Sequence, residues 1–253
     1  MQEEIKLKKL VKNLKPGSIV LSGWLEEMGI SKSLRQEYVK NGWLTPLGRG
    51  AYKRFEDDVE WYAGVSALQK QAGLQVHVGA LTALEMLGLS HYLRISGYTV
   101  YLFSAYKVNL PNWFTQYNWK QKIEHKKTSF LNYDAGIIEF EYNNTDLLIS
   151  SQERAIMECL YLTPEIMDIV ECYQLMETLV NLQPDLVKKL LKNCNSIKVK
   201  RLFLYMAEKA NHQWLQFIDL SDVNLGNGNR QIVRNGVYNA KYQLTLPEEL
   251  TEL

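Results

Sequence analysis

The stretch GWLTPLGRGAYKR, Gly42 to Arg54, decides how the first fifty-odd residues fold. Trp43-Leu44 and Ala51-Tyr52 are short apolar strand candidates, and Pro46 with the Gly48-Arg49-Gly50 turn lies between them. Immediately upstream, two helical patterns are split by one glycine. Leu21, Trp24, Leu25 and Met28 share a face at 3, 4, 7 spacing, which predicts a helix over about Leu21 to Met28, stopped by Gly29. Ser31 is the expected cap of the next helix, about Lys32 to Asn41, packed through Leu34, Tyr38 and Val39. Two helices followed by a basic glycine hairpin outline a winged helix-turn-helix. Before them, Ile5, Leu7, Leu10 and Val11 alternate with Lys6, Lys8, Lys9 and Lys12, predicting a first helix over about Glu3 to Val11 that Lys15-Pro16-Gly17 ends.

Charge is distributed in the same sense. Residues 1–55 carry eleven Lys and Arg against five Asp and Glu, while residues 131–253 carry eleven against seventeen, although the net charge is only +1. A basic head on a neutral chain favours a polyanion contact through the head alone. On the second of the paired helices, Ser33, Arg35 and Gln36 are the candidates for reading base edges. Lys32 and Lys40 suit phosphates, because a flexible point charge positions without reading. Arg49, Lys53 and Arg54 make the hairpin positive, and Arg49 at its tip is placed to enter a minor groove or clamp a phosphate; a turn with incidental charge is the alternative. Lys6, Lys8, Lys9 and Lys12 either extend that footprint or form a solvated helix face. Trp24, Trp43 and Tyr52 are expected in the small core. The acidic run Glu56 to Glu60 limits the DNA surface and marks a boundary, giving a head at 1–56, a middle region at 57–150 and a C-terminal region at 151–253.

Behind the head the patterns mix. Helices are predicted over Trp61 to Gln71 and Ala80 to Leu87, and strands over Leu74 to Val78, Tyr98 to Phe103, Ile137 to Tyr142 and Leu147 to Ile149, the last two joined by an Asn143-Asn144 turn. After Ser150 the pattern becomes helical: Gln152 to Tyr161, Glu165 to Leu182, Asp185 to Leu191 and Lys198 to Ala210. Ser151 and Thr163 are the expected caps, with Pro164 at the first helical position. The last forty residues return to short strands and turns. The fold class is α+β, an N-terminal winged helix-turn-helix followed by a larger mixed α+β body. With 253 residues, 46% of them hydrophobic, the chain buries roughly 70% of its unfolded surface.

The search for catalytic chemistry returns little. His77, His91, His125 and His212 lack any close ligand spacing, and GxGxxG, GxxxxGK[ST] and GxSxG are all missing. Asp134, Glu139 and Glu141 lie on or near a strand, as in a magnesium-dependent nuclease, but the lysine such a site needs does not follow them. Cys159, Cys172 and Cys194 form no CxxC pair and read as small apolar groups. No catalytic residue, metal site or cofactor is assigned, and the chain is not expected to be an enzyme. Lys120, Lys122, His125, Lys126 and Lys127 lie near Trp113, Phe114, Tyr117 and Trp119. That stretch suits a single strand or a phosphorylated partner, or else core aromatics on a charged segment. No apolar run has the length of a signal peptide or a membrane span, so a cytoplasmic address is expected.

The chain resembles the AbiEi-type antitoxins, the regulator half of bacterial type IV toxin–antitoxin abortive-infection pairs. The resemblance rests on YVKNGWLTPLGRGAYKR (Tyr38 to Arg54) and WYAGVSALQKQAGLQVHVGALTALEMLGLSHYL (Trp61 to Leu93). Further along it rests on KVKRLFLYMAEKANHQWLQFIDL (Lys198 to Leu220), NLGNGNRQIV (Asn224 to Val233) and YNAKYQLTLP (Tyr238 to Pro247). It implies a winged helix that binds inverted repeats in double-stranded DNA upstream of its own operon and represses it. It also implies an antitoxin body, 57–253, that opposes a nucleotidyltransferase-like toxin without needing a stable complex. The antitoxin surface would fall on Lys198, Lys200, Arg201, Asn229 and Arg230. Self-association on DNA would follow from operator symmetry. Two other readings stay open at the level of sequence: a degenerate nuclease or nucleotide-handling body targeted by the head, and a protein–protein adaptor.

Overall fold

The computed structural model describes residues 14–89 and 98–252, together with Leu10. Most of the first expected helix, with Lys6, Lys8, Lys9 and Lys12, and also His91, lie outside the described residues. In the head, β1 (Ile19–Leu21), α1 (Ser22–Glu27), α2 (Lys32–Lys40), β2 (Leu44–Gly48) and β3 (Ala51–Arg54) follow in order. The Ser31 hydroxyl accepts from the Leu34 amide at 3.3 Å and caps α2. The three strands form an antiparallel sheet in the order β1-β3-β2, which places Pro46 on an edge strand where its missing amide does least harm. Leu10, Leu14, Val20, Leu25, Ile30, Leu34, Tyr38 and Leu44 fill the space beneath. Trp43 departs from expectation: it stays 48% exposed, since it sits just outside β2, where the chain enters the hairpin.

The body is built on α3 (Trp61–Lys70), β4 (Val76–Val78), α4 (Ala80–Met86), β5 (Thr99–Ser104), α5 (Asn112–Thr115), β6 (Lys122–Lys127), β7 (Ile137–Tyr142) and β8 (Thr145–Ser150). Its five strands form a mixed sheet in the order β6-β5-β4-β8-β7. Asn143 and Asn144 both adopt positive φ, 47° and 60°, as the tight β7–β8 hairpin requires. Strand alternation divides the core in two. Val100 and Leu102 of β5 face Trp61, Leu68, Phe114 and Trp119, while Tyr101 and Phe103 face the helical side with Leu84, Ile156 and Leu160.

That helical side continues through α6 (Gln152–Leu162), α7 (Ile169–Thr178), α8 (Pro184–Asn193) and α9 (Ile197–Lys209). A small sheet of β9 (Arg230–Gln231), β10 (Val237–Asn239) and β11 (Leu244–Leu246) follows, and α10 (Glu248–Glu252) ends it. The helix expected from Glu165 starts later, at Ile169, because Asp168 rather than Thr163 caps it: its carboxylate accepts from the Val170 and Glu171 amides at 2.9 and 3.0 Å.

One carboxylate joins the sheet to the helices. Glu158 of α6 is fully buried and takes four donors: His77 Nε2 at 2.8 Å, Arg154 Nε at 2.8 Å, the Ala80 amide at 3.0 Å and the Ser150 hydroxyl at 2.7 Å. Burial alone would raise this carboxyl, but the donors of His77 and Arg154 and the guanidinium charge outweigh it and hold it well below the usual carboxylate range. Burial in turn lowers His77 and keeps its imidazole neutral.

Two glutamines extend the construction towards the head. Gln69 reaches between two strands of the sheet, donating to the Val76 and Leu148 carbonyls and accepting from the Leu148 amide, each at 2.9 Å. Gln71 does the same for the head: its side chain accepts from the Leu21 amide and donates to the Ile19 carbonyl, both at 2.8 Å. An amide side chain thus serves β1 as a one-residue neighbouring strand. The wing is braced as well, since a Cβ on Gly48 would lie 2.9 Å from Trp113 Cβ.

Gln71→Leu should leave both β1 groups unpaired, costing about 1–3 kcal/mol, with protease cleavage of the head appearing before global unfolding. Unchanged proteolysis would show that the amide is dispensable. For Glu158 the sign of the pH effect is fixed. The unfolded chain takes up protons at histidine below its ordinary value of 6.5 and at glutamate below 4.5, whereas the native state resists both. Stability should therefore fall on acidification, first below pH 6.5 and more steeply below 4.5. Glu158→Gln, which strands Arg154, should cost about 3–5 kcal/mol at neutral pH and flatten the acid limb in urea titrations.

Candidate nucleic-acid interface

The residues expected to contact DNA divide into those the fold turns outwards and those it uses internally. On α2, Leu34 and Tyr38 pack into the head core, and Lys32, Ser33, Gln36 and Lys40 are exposed on the rest of the helix. Arg35 is not on that outer face. Only 5% exposed, it donates from Nη1 to the Ile30 and Ser22 carbonyls at 3.1 and 3.3 Å and from Nη2 to Glu26 at 2.9 Å. Its guanidinium joins α1, the intervening turn and α2, which removes it from the base-reading set. The helical spacing one residue after Leu34 already places position 35 beside the buried stripe.

The wing is less positive than its sequence suggests. Arg49 is exposed at the tip, where Gly50 adopts φ +86°. Lys53 instead donates to the Asp57 carbonyl, and Arg54 lies 4.0 Å from the Asp57 carboxylate. The same carboxylate accepts from the Gly17 amide at 2.9 Å. The acidic run therefore folds back on the base of the hairpin and partly neutralises it. Within that run, Glu60 pairs with Lys120 at 2.5 Å. Among the described residues, Lys32, Lys40 and Arg49 are the expected cations left exposed without such a partner, accompanied by the neutral donors and acceptors Ser33 and Gln36.

The residues expected on an antitoxin surface divide similarly. Arg201 is 2% exposed, and its guanidinium spends all its donors on the C-terminal loop: the carbonyls of Leu225, Gly226, Gly228 and Gln243 and the side chain of Gln243, at 2.6–3.2 Å. Lys200 is buried, and Lys198 is half-buried, its ammonium bonded to the Tyr161 and Thr163 carbonyls. Lys198 and Arg201 thus hold the fold, and Lys200 lies inside it. Asn229 and Arg230 are exposed, with Asn229 accepting from the Tyr238 hydroxyl at 3.0 Å.

Elsewhere the chemistry stays sparse. Asp134, Glu139 and Glu141 are exposed, and no group of three or more metal-ligating side chains occurs among the described residues. The basic segment Lys122–Lys127 is the edge strand β6, and its aromatic neighbours Trp113, Phe114 and Trp119 are core. Ser104 Oγ lies 2.7 Å from His125 Nε2, a contact the sequence did not suggest. Burial and Lys127 hold that imidazole down to about 4, too weak a base to activate a hydroxyl at neutral pH. The three cysteines are buried and free, and burial raises each thiol. Sequence reading also missed Arg154 and Glu158, whose i, i+4 spacing on one helix was the available signal.

The crystal structure of the RV2827C protein from Mycobacterium tuberculosis has the same fold: it superposes with a TM-score of 0.63 over 96% of this chain and 91% of that one, at 14% identity. No curated protein sequence matches the chain. Two family matches together span most of it. Residues 3–95 match the N-terminal domain of the AbiEi antitoxin transcriptional regulators, and residues 98–247 match the transcriptional regulators described as AbiEi antitoxins of type IV toxin–antitoxin systems. The chain belongs to the AbiEi antitoxin family of transcriptional regulators.

Proposed function

We propose that the chain represses its own operon by laying α2 in the major groove of an inverted-repeat operator, with the wing tip on the adjacent backbone or minor groove. The observation that carries this reading is the segregation on α2: Lys32, Ser33, Gln36 and Lys40 are exposed, whereas the apolar residues and Arg35 are buried. Gln36 and Ser33 read base edges; Lys32, Lys40 and Arg49 neutralise phosphates. Residues 1–56 act as the DNA-binding unit and 57–253 as one body. Two copies associate on the operator, one for each half-site. The body counters a nucleotidyltransferase-like toxin in the cytoplasm without a stable complex, and Asn229 and Arg230 are the exposed members of its contact set.

Fluorescence anisotropy on the duplex upstream of the gene, against a scrambled duplex, tests the DNA half of this reading. The native duplex should be preferred by about a hundredfold, within the range that separates specific from non-specific binding. Gln36→Ala should cost about 1–3 kcal/mol on the native duplex and little on the scrambled one. Lys40→Ala and Arg49→Ala should weaken both alike, each reducing the slope of log affinity against log salt by about 0.9. Equal, weak binding to both duplexes would defeat the repressor reading.

A further inference from the structure

The acidic run that follows the wing is tied to it by contacts that a solvated loop would not make. Glu56 adopts φ +64°, left-handed backbone that residues other than glycine rarely occupy. The chain turns back there and sets Asp57 across the ends of β3 and β1. Its Oδ2 accepts from the Gly17 amide at 2.9 Å and lies 4.0 Å from Arg54 Nε, while its carbonyl accepts from Lys53 Nζ. The β1–β3 pairing ends at Ile19 and Lys53, so the Asp57 side chain supplies an acceptor to an amide beyond the last strand partner.

Register decides which face of the winged sheet Arg54 occupies. Its cross-strand partner is Leu44, which packs with Leu34 and Tyr38 of α2 in the head core. Directly paired residues of antiparallel strands share a face, so Arg54 stands on the side of the sheet that carries α2. Leu44 in turn follows Lys40, the last residue of α2, by four positions. The Arg54 side chain is 38% exposed and that of Asp57 17%, so the guanidinium is open to solvent while the carboxylate beside it is largely covered. A guanidinium recognises carboxylate and phosphate oxygens with the same fork of N–H donors. The position beside Arg54 that a DNA phosphate would take is therefore held by a charge of the same sign from the chain itself.

We propose, on the reading of the head as a DNA-binding unit, that Asp57 is a built-in stand-in for a DNA phosphate. It occupies Arg54, keeps that cation out of the DNA contact and so holds down the affinity of the head for duplex of any sequence. Selectivity is untouched, because a phosphate contact carries no sequence information.

Asp57→Asn isolates the charge. The new side-chain oxygen can still accept from Gly17 and the backbone carbonyl from Lys53, so only the negative charge beside Arg54 is lost. Fluorescence anisotropy on the full chain, with the upstream and scrambled duplexes over a range of salt, reads the effect. The variant should bind both duplexes about tenfold more tightly at about 50 mM salt, with the slope of log affinity against log salt steeper by about 0.9, as one added phosphate contact requires. Arg54→Ala in the native chain should leave the slope unchanged, and the double variant should return to the native slope. Circular dichroism confirms that each variant folds, and Arg54→Ala tests the proposal even where Asp57→Asn does not. An unchanged slope for Asp57→Asn, a gain that persists in the double variant, or a slope reduced by Arg54→Ala alone would each overturn the proposal and leave the DNA-binding reading standing. A native chain that binds neither duplex would remove that reading and the proposal together.

Discussion

A carboxylate with no access to solvent must be given donors, and the way Glu158 obtains them shapes the body. Its four partners come from β4, the start of α4, the end of β8 and its own helix, so satisfying one side chain fixes four segments. Gly79 is part of the same solution, because a Cβ there would lie 2.2 Å from Glu158 Oε2 and 2.7 Å from Phe103. Replacing Glu158 and Arg154 together by apolar side chains of similar volume would often cost no stability. A buried charge surrounded by fitted donors instead penalises alternative packings, since any displacement leaves Arg154 or Glu158 unpaired.

The strands that Glu158 fixes also hold the head. Gln69 bonds to β4 and β8, and Gln71, two residues on, bonds to β1 of the winged sheet. Ile19, Leu21 and Ala51 of the head share a core with Trp61, Val65 and Trp113 of the body. The winged helix is therefore not a bead on a flexible tether. The body sets the direction in which α2 points, so two copies meeting on an inverted repeat would bring two preset reading heads and lose little orientational freedom on binding.

The legible parts of this fold were those in which periodicity and burial coincide. The two helices of the head, the β7–β8 hairpin with its Asn-Asn turn and the amphipathic α8 and α9 all follow from spacing. Ile-Val-Leu at 19–21 did not read as a strand because three apolar residues before a serine have no period of their own. Residues 122–127, KIEHKK, were hidden by their lysines, which suit an edge strand but resemble a surface cluster. The largest departures are cationic. Arg35, Lys200 and Arg201 look like surface groups in a sequence, because what draws Arg35 and Arg201 inwards is backbone carbonyls at turns and loops, and a carbonyl acceptor has no letter in the sequence.

That division between cations that fold and cations that bind bears on how an operator would be recognised. Arg35, Arg154 and Arg201 each take carbonyl acceptors at more than one point in the chain, a task suited to the rigid fork of a guanidinium. Once they are assigned to the interior and Lys53 and Arg54 to Asp57, the described head offers few free positive charges. Electrostatic attraction from one copy would then be modest, because non-specific affinity scales with the phosphates neutralised. A head of this kind gains little by scanning DNA alone. On the proposed reading, discrimination would come from the short polar side chains of α2 and from the geometric match between two braced heads and two half-sites, so affinity for a lone half-site should be disproportionately weak.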